Sequence, residues 1–228
     1  MNKISNIGHR GAKGYVPENT IPSFIKAIEL NANGIELDVH LCKSGELVVI
    51  HDETVDRTTN GTGLVSSYSL SELKELRMNH NLQIPTLEEV LAVCVNLQLI
   101  NIELKGRNTA QAVCDCIENH IQLHGWNYEN FIVSSFHQQE LEHVAQYNNK
   151  IPLGILSDKS VEHALEWAQL YNAQAIHPHF SLLTPENVTL AHQKGYKIYT
   201  WTVNNLVDIE RMKQLKVQGI ITDFPDRI

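Results

Sequence analysis

Cysteine is scarce in this chain, positive charge is in the minority, and no long apolar run occurs. The 4 cysteines are Cys42, Cys94, Cys114 and Cys116. None belongs to a Cys-x-x-Cys pair, so zinc-knuckle spacing is missing. Cys114 and Cys116 stand two apart in a helical pattern, where side chains do not face each other. Reduced, unpaired thiols in a cytoplasmic protein are expected. Lysine and arginine number 18 against 26 aspartates and glutamates, for a net charge of −8. That balance excludes a general nucleic-acid surface and demands local positive charge wherever an anion is to bind. No stretch approaches the ~20 consecutive apolar residues of a spanning helix. Residues 1–7 also lack the apolar core of a secretory signal, so no membrane anchor is expected.

What is present suits one large domain. The chain has 228 residues, 43% of them hydrophobic, close to the ~250 residues of a single α/β barrel. Short β-rich runs cover residues 4–9, 34–40, 99–105, 131–136, 152–156, 174–177, 197–203 and 219–222. Helical patterns fall between them at 21–30, 87–95, 109–124, 138–147, 161–171, 185–194 and 206–215, an alternation that argues for parallel strands with helical crossovers. Thr86 with Glu89 reads as a capping box, and Thr184-Pro185-Glu186 as a helix start. Residues 47–50 follow the second run after only a Lys43-Ser44-Gly45 turn, too short for a parallel crossover. They read as an antiparallel arm that carries His51 back to the carboxyl end of the second strand. Setting that arm aside leaves eight parallel strands, the number that closes a (β/α)8 TIM barrel; an open doubly wound sheet is the alternative. The polar segment 53–83, with one short amphipathic helix at 71–77, reads as a small insertion on the rim or a dispensable loop.

Five stretches carry the chemistry: His9-Arg10-Gly11, Pro17-Glu18-Asn19-Thr20, Glu36-Leu37-Asp38, His51-Asp52 and Glu103-Leu104-Lys105. Side chains alternate along a strand, so Glu36 and Asp38 share one face, and Glu103 and Lys105 repeat the pattern on the next strand. Active sites of such barrels sit at the carboxyl ends of the strands. Three carboxylates there would repel unless a cation joined them, and an all-oxygen set suits Mg²⁺ or Ca²⁺. The plainer reading is that Glu36 or Asp38 pairs with Lys105 or Arg10. His9 and His51 reach the same mouth, with pKa values suited to an acid and a base. Asp52 either orients His51 or caps its loop. Arg10 and Lys105 either face a phosphate or, for Arg10, pair with Glu18. Phe136 and Trp201 lie at strand ends, as lining or as core. His40 and the His177-Pro178-His179 run read as structural first.

These residues resemble the glycerophosphodiester phosphodiesterases, barrel relatives of the phosphatidylinositol-specific phospholipases C. The likeness runs from Ile7 through Gly63, Glu103-Leu104-Lys105, Ser134-Ser135-Phe136 and the run from Tyr199 to Asn204, closing at Ile221-Thr222-Asp223. It implies one divalent cation held by Glu36, Asp38 and Glu103, and His9 and His51 as the acid–base pair. It further implies phosphate contacts from Arg10 and Lys105, and a glycerol-side pocket near Phe136 and Trp201. The short insertion after Asp52 is similar to the bacterial cytosolic form. The implied substrate is a small glycerophosphodiester, cleaved to sn-glycerol 3-phosphate and an alcohol such as choline or ethanolamine. A homo-oligomer is left open.

Overall fold

A computed structural model describes residues 4–228; residues 1–3, the start of the stretch read above for a signal, lie outside it. The elements run β1 (Ser5–His9), α1 (Ile21–Glu29), β2 (Gly34–Leu41), β3 (Leu47–Val49), α2 (Leu70–Glu75), α3 (Leu87–Val93), β4 (Leu99–Leu104) and α4 (Ala110–His124). They continue with β5 (Phe131–Ser135), α5 (Gln138–Tyr147), β6 (Leu153–Ser157), α6 (Val161–Leu170), β7 (Ala175–Pro178), α7 (Pro185–Gln193), β8 (Lys197–Thr200), α8 (Leu206–Gln214) and β9 (Gly219–Thr222). Among the described residues nine strands form one sheet, and the pairing of β1 with both β9 and β2 closes it. Eight strands are parallel and only β3 runs antiparallel. The molecule is a (β/α)8 TIM barrel, not an open sheet.

Strand parity explains which side chains meet inside. In β2, Ile35, Leu37 and Val39 join the main core under the helices, as do Ile100, Ile102 and Leu104 of β4. The opposite faces look inward. Deep in the barrel, Ile7, Leu99, Ile132, Ala175, Tyr199 and Ile221 form an apolar cluster. Two residues further along those strands come His9, Asn101, Ser134, His177, Trp201 and Asp223, because side chains repeat with a period of two. The interior is therefore apolar below and polar toward the carboxyl ends.

Local signals account for the ends of several elements. Thr86 makes the capping box with Glu89 that the sequence predicts, and Thr184 makes one with Asn187 ahead of Pro185. The short helix expected over 71–77 is α2, starting one residue earlier and ending two earlier, because Ser69 supplies a capping box with Glu72. Three predicted strands run too far. Lys105 and Phe136 lie one residue past β4 and β5, and Trp201 pairs with His179 only through an isolated bridge. β1 pairs with β2 as far as Glu36, and β3 pairs with it from Val39 to Leu41. The arm and the segment behind it share a small core of their own, including Val48, Ile50, Val55, Leu73 and Ile84.

Candidate active site

β2 and β4 set the three carboxylates. Their register pairs Glu36 with Asn101 and Asp38 with Glu103, so all three acids rise on one inner face. One oxygen from each lies within 4.8 Å of the others. All three are buried, Asp38 completely. Burial, reinforced by Asp38 and Glu103, holds the Glu36 carboxyl well above the usual carboxylate range. Burial and Asp38 push Glu103 up to about 7, although Lys105 and Arg10 pull the other way.

Positive groups reach this cluster without satisfying it. The Arg10 backbone N–H donates to Glu36 Oε2 at 3.0 Å, and Asn19 Nδ2 donates to Asp38 Oδ2 at 2.8 Å. Arg10 Nε stands 3.2 Å from Asp38 Oδ2. Lys105 Nζ is 2.6 Å from Glu103 Oε1 and 3.8 Å from Asp38 Oδ1. The plain ion-pair reading of these residues is thus present in part. Even so, Asp38 Oδ1 is buried and accepts no hydrogen bond, and Glu103 Oε1 has only the Lys105 ammonium beside it. Orphaned anionic oxygens are costly away from water. A hard divalent cation would remove that cost, and the all-oxygen donor set fits one.

Each histidine is held by a carboxylate. His9 Nδ1 lies 2.6 Å from Asp223 Oδ1, and His51 Nδ1 lies 2.6 Å from Asp52 Oδ1. A carboxylate only accepts, so both Nδ1 atoms carry hydrogen and both Nε2 atoms are left for proton exchange. Burial lowers the pKa of both rings, outweighing the carboxylates that favour the charged forms. His51 follows β3 directly. Ile50 N–H donates to the Asp38 carbonyl at 3.0 Å, and His40 Nε2 bonds the His51 carbonyl at 3.1 Å. The arm therefore brings His51 to the mouth beside Asp38.

A chain of charges ties the second histidine to the first turn. Arg57 Nε donates to Asp52 Oδ2 at 2.6 Å, and its guanidinium also reaches Glu18 Oε1 at 2.8 Å. Glu18 Oε1 accepts from Arg10 as well, at 2.8 Å. Burial alone would raise the Glu18 carboxyl, but Arg57 and Arg10 hold it down at about 2. Arg10 forms the expected ion pair with Glu18 and also contacts Asp38. The Phe136 and Trp201 rings meet edge-on at 5.6 Å, and Lys105 Nζ stands 5.7 Å over Phe136. Trp201 Nε1 donates to the His177 carbonyl at 2.7 Å. His177 itself is a buried interior ring whose two nitrogens find no partner, and burial pushes it down to about 3. His179 accepts from Ser181 in a local turn.

Sequence reasoning left Asp223, Asn204, Asn19 and Arg57 without roles. Asn204 Nδ2 donates to Asp223 Oδ2 at 2.7 Å, fixing the acid that fixes His9. The available signal was parity: Asp223 stands two places beyond inward-facing Ile221. A recess of about 1070 Å³ opens at the other end of the barrel, lined in part by Ser5, Asn33, Lys197 and Gln218. It holds none of the acids or histidines above.

Known proteins resemble this chain in sequence and in fold. A model of the glycerophosphoryl diester phosphodiesterase family matches residues 9–227. A glycerophosphodiester phosphodiesterase of Caldanaerobacter subterraneus subsp. tengcongensis is 39% identical over 233 residues, covering 97% of this chain and 95% of that one. An Oleispira antarctica phosphodiesterase, solved in complex with the product sn-glycerol-3-phosphate, superposes with a TM-score of 0.87 at 26% identity, covering 97% and 94% of the two chains. The Thermotoga maritima glycerophosphodiester phosphodiesterase superposes with a TM-score of 0.82 at 31% identity, covering 99% and 97%.

Proposed function

Because the chain belongs to the glycerophosphoryl diester phosphodiesterase family, we propose that it hydrolyses glycerophosphodiesters to sn-glycerol 3-phosphate and an alcohol, with metal-dependent histidine acid–base catalysis. The observation that carries this reading is two imidazoles with tethered Nδ1 atoms beside a buried triple carboxylate in which Asp38 Oδ1 has no donor. The product held by the Oleispira antarctica relative supports the substrate class.

Glu36, Asp38 and Glu103 hold the cation, Mg²⁺ or Ca²⁺; when bound it lowers the pKa of the attacking hydroxyl and offsets charge on the phosphate. Arg10 and Lys105 contact non-bridging phosphate oxygens, each already charged and raised in pKa by neighbouring acids despite burial. Phe136 and Trp201 line the glycerol side. Nε2 of one histidine takes the proton from the glycerol hydroxyl as it attacks phosphorus. Nε2 of the other returns a proton to the departing alkoxide. The cyclic phosphate so formed is opened by water with the two roles exchanged. Burial favours the neutral form of the ring that acts as base; the other ring enters the step protonated at Nε2, the charged form that its carboxylate favours.

The whole barrel is read as one catalytic domain, with 53–83 as a small rim insertion; its separate apolar cluster supports that division. No described helix is long and apolar enough to cross a membrane. The four cysteines are free and buried, which supports a reducing, cytoplasmic setting. Purified protein offered glycerophosphocholine should release glycerol 3-phosphate, stop when a chelator is added, and recover with Mg²⁺ or Ca²⁺. Release indifferent to chelator, or none with any head group, would overturn the reading.

A further inference from the structure

Outside the barrel mouth, one other cluster among the described residues brings metal-ligating groups together: Glu88, Cys116 and His120. Cys116 and His120 stand one turn apart on α4, spaced so that their side chains share a face. Glu88, in the first turn of α3, reaches both. Its Oε1 lies 3.5 Å from Cys116 Sγ, and its Oε2 lies 3.4 Å from His120 Nε2.

The second of these contacts is the informative one. His120 Nδ1 lies 3.0 Å from the Cys116 carbonyl oxygen. A carbonyl can only accept, so Nδ1 carries the hydrogen and, in the neutral ring, Nε2 presents a lone pair. That lone pair faces a carboxylate oxygen, acceptor against acceptor. A proton or a cation between them is needed to make the contact favourable. The His120 side chain is only 7% exposed, so little solvent can separate the two acceptors. A thiol beside it offers a third donor.

The spacing matches coordination. Bonds of about 2.3 Å to sulfur and about 2.0–2.2 Å to nitrogen and oxygen in a tetrahedron put the ligand atoms roughly 3.3–3.6 Å apart. The two measured separations, one to each Glu88 carboxylate oxygen, fall in that window. The carbonyl lock on Nδ1 is also the outer contact that orients metal-bound imidazoles.

We propose that Glu88, Cys116 and His120 form a second cation site, for a zinc-like divalent ion, that ties α3 to α4 on the outside of the barrel. Water takes the fourth position, or His124, whose ring lies 5.0 Å from that of His120. On binding, the Cys116 thiol releases its proton to solvent as the sulfur–metal bond forms, and His120 keeps its Nδ1 hydrogen. Sulfur and nitrogen donors select a softer ion than the all-oxygen mouth does, so the two sites load independently.

Co²⁺ titration of the metal-free full chain, with Mg²⁺ in excess to occupy the mouth, tests this. Expected is a thiolate-to-cobalt charge-transfer absorption that saturates at one equivalent and is displaced by Zn²⁺. Cys116→Ser should abolish it. Glu88→Gln, on an exposed side chain that leaves folding alone, should weaken Co²⁺ binding by at least about tenfold. Phosphodiesterase activity should be unchanged in both variants. A wild-type chain without the absorption overturns the proposal, as does a band that survives Cys116→Ser or an affinity unmoved by Glu88→Gln.

Discussion

His9 owes its orientation to one acid at the far end of the chain. Asp223 Oδ1 accepts from His9 Nδ1 while Asp223 Oδ2 accepts from Asn204 Nδ2. In Asp223→Asn one of those acceptors becomes an NH₂ group, and turning it toward His9 would force hydrogen onto Nε2. Turnover should fall on the order of 10²–10⁴-fold, as expected for a wrong tautomer, with KM and metal affinity little changed. An unchanged kcat would remove Asp223 from the mechanism. The two halves of the proposed site separate in the same way. Glu103→Ala should lose metal binding and activity together, whereas His51→Ala should keep the metal, by calorimetric titration, and lose turnover. At this scale the sequence disclosed residue types and the strands that carry them, but not partners. The His9–Asp223 contact spans 214 positions, and nothing local to either residue announces it. His51 is the opposite case, since its acid is the next residue.

Elements decide where those residues point. The turn after β1 carries Arg10 and Gly11 at positive φ, 51° and 83°. Its tightness lets the Arg10 N–H reach Glu36 while the turn packs against the start of α1. A Cβ on Gly11 would stand 2.5 Å from the Ser23 carbonyl carbon, whereas one on Gly45, also at positive φ, would meet nothing within 4 Å. Gly11→Ala should therefore lower the melting temperature by at least about 4 °C more than Gly45→Ala does. Equal losses would mean that the turn tolerates the added methyl. The antiparallel arm was legible because its turn is too short for a crossover. The ends of β5 and β8 were not, since aromatic side chains continue past the last ladder bond, and at β4 the inward-facing Lys105 extended the alternation.

For the molecule as a whole, charge sets the pH response. Glu36 and Glu103 have raised pKa values in the fold, Glu103 near 7 against an ordinary 4.5. Between those limits the folded chain binds more protons than the unfolded chain, so the metal-free protein should lose stability as pH rises across that window. A divalent cation stabilises the fold by binding it, and more so once the acids are ionised. The melting-temperature gap between Mg²⁺-loaded and chelated protein should widen from about pH 5 to about pH 8. A gap independent of pH would argue that the acids are not the ligands.

Periodicity, turn length and the placing of acids on alternate residues determined the barrel, its odd arm and the list of reactive groups. Those are local properties, written into neighbouring positions by backbone geometry. Which charges touch was decided only by closure of the sheet. Closure brings β9 and β2 to either side of β1, and the arm then returns along β2 as a hairpin. These pairings set Asp223 on His9, link Glu18 to both Arg10 and Arg57, and leave Asp38 Oδ1 buried without a donor. The Glu88–Cys116–His120 cluster follows the same rule, because no spacing along one helix reveals a ligand carried by another.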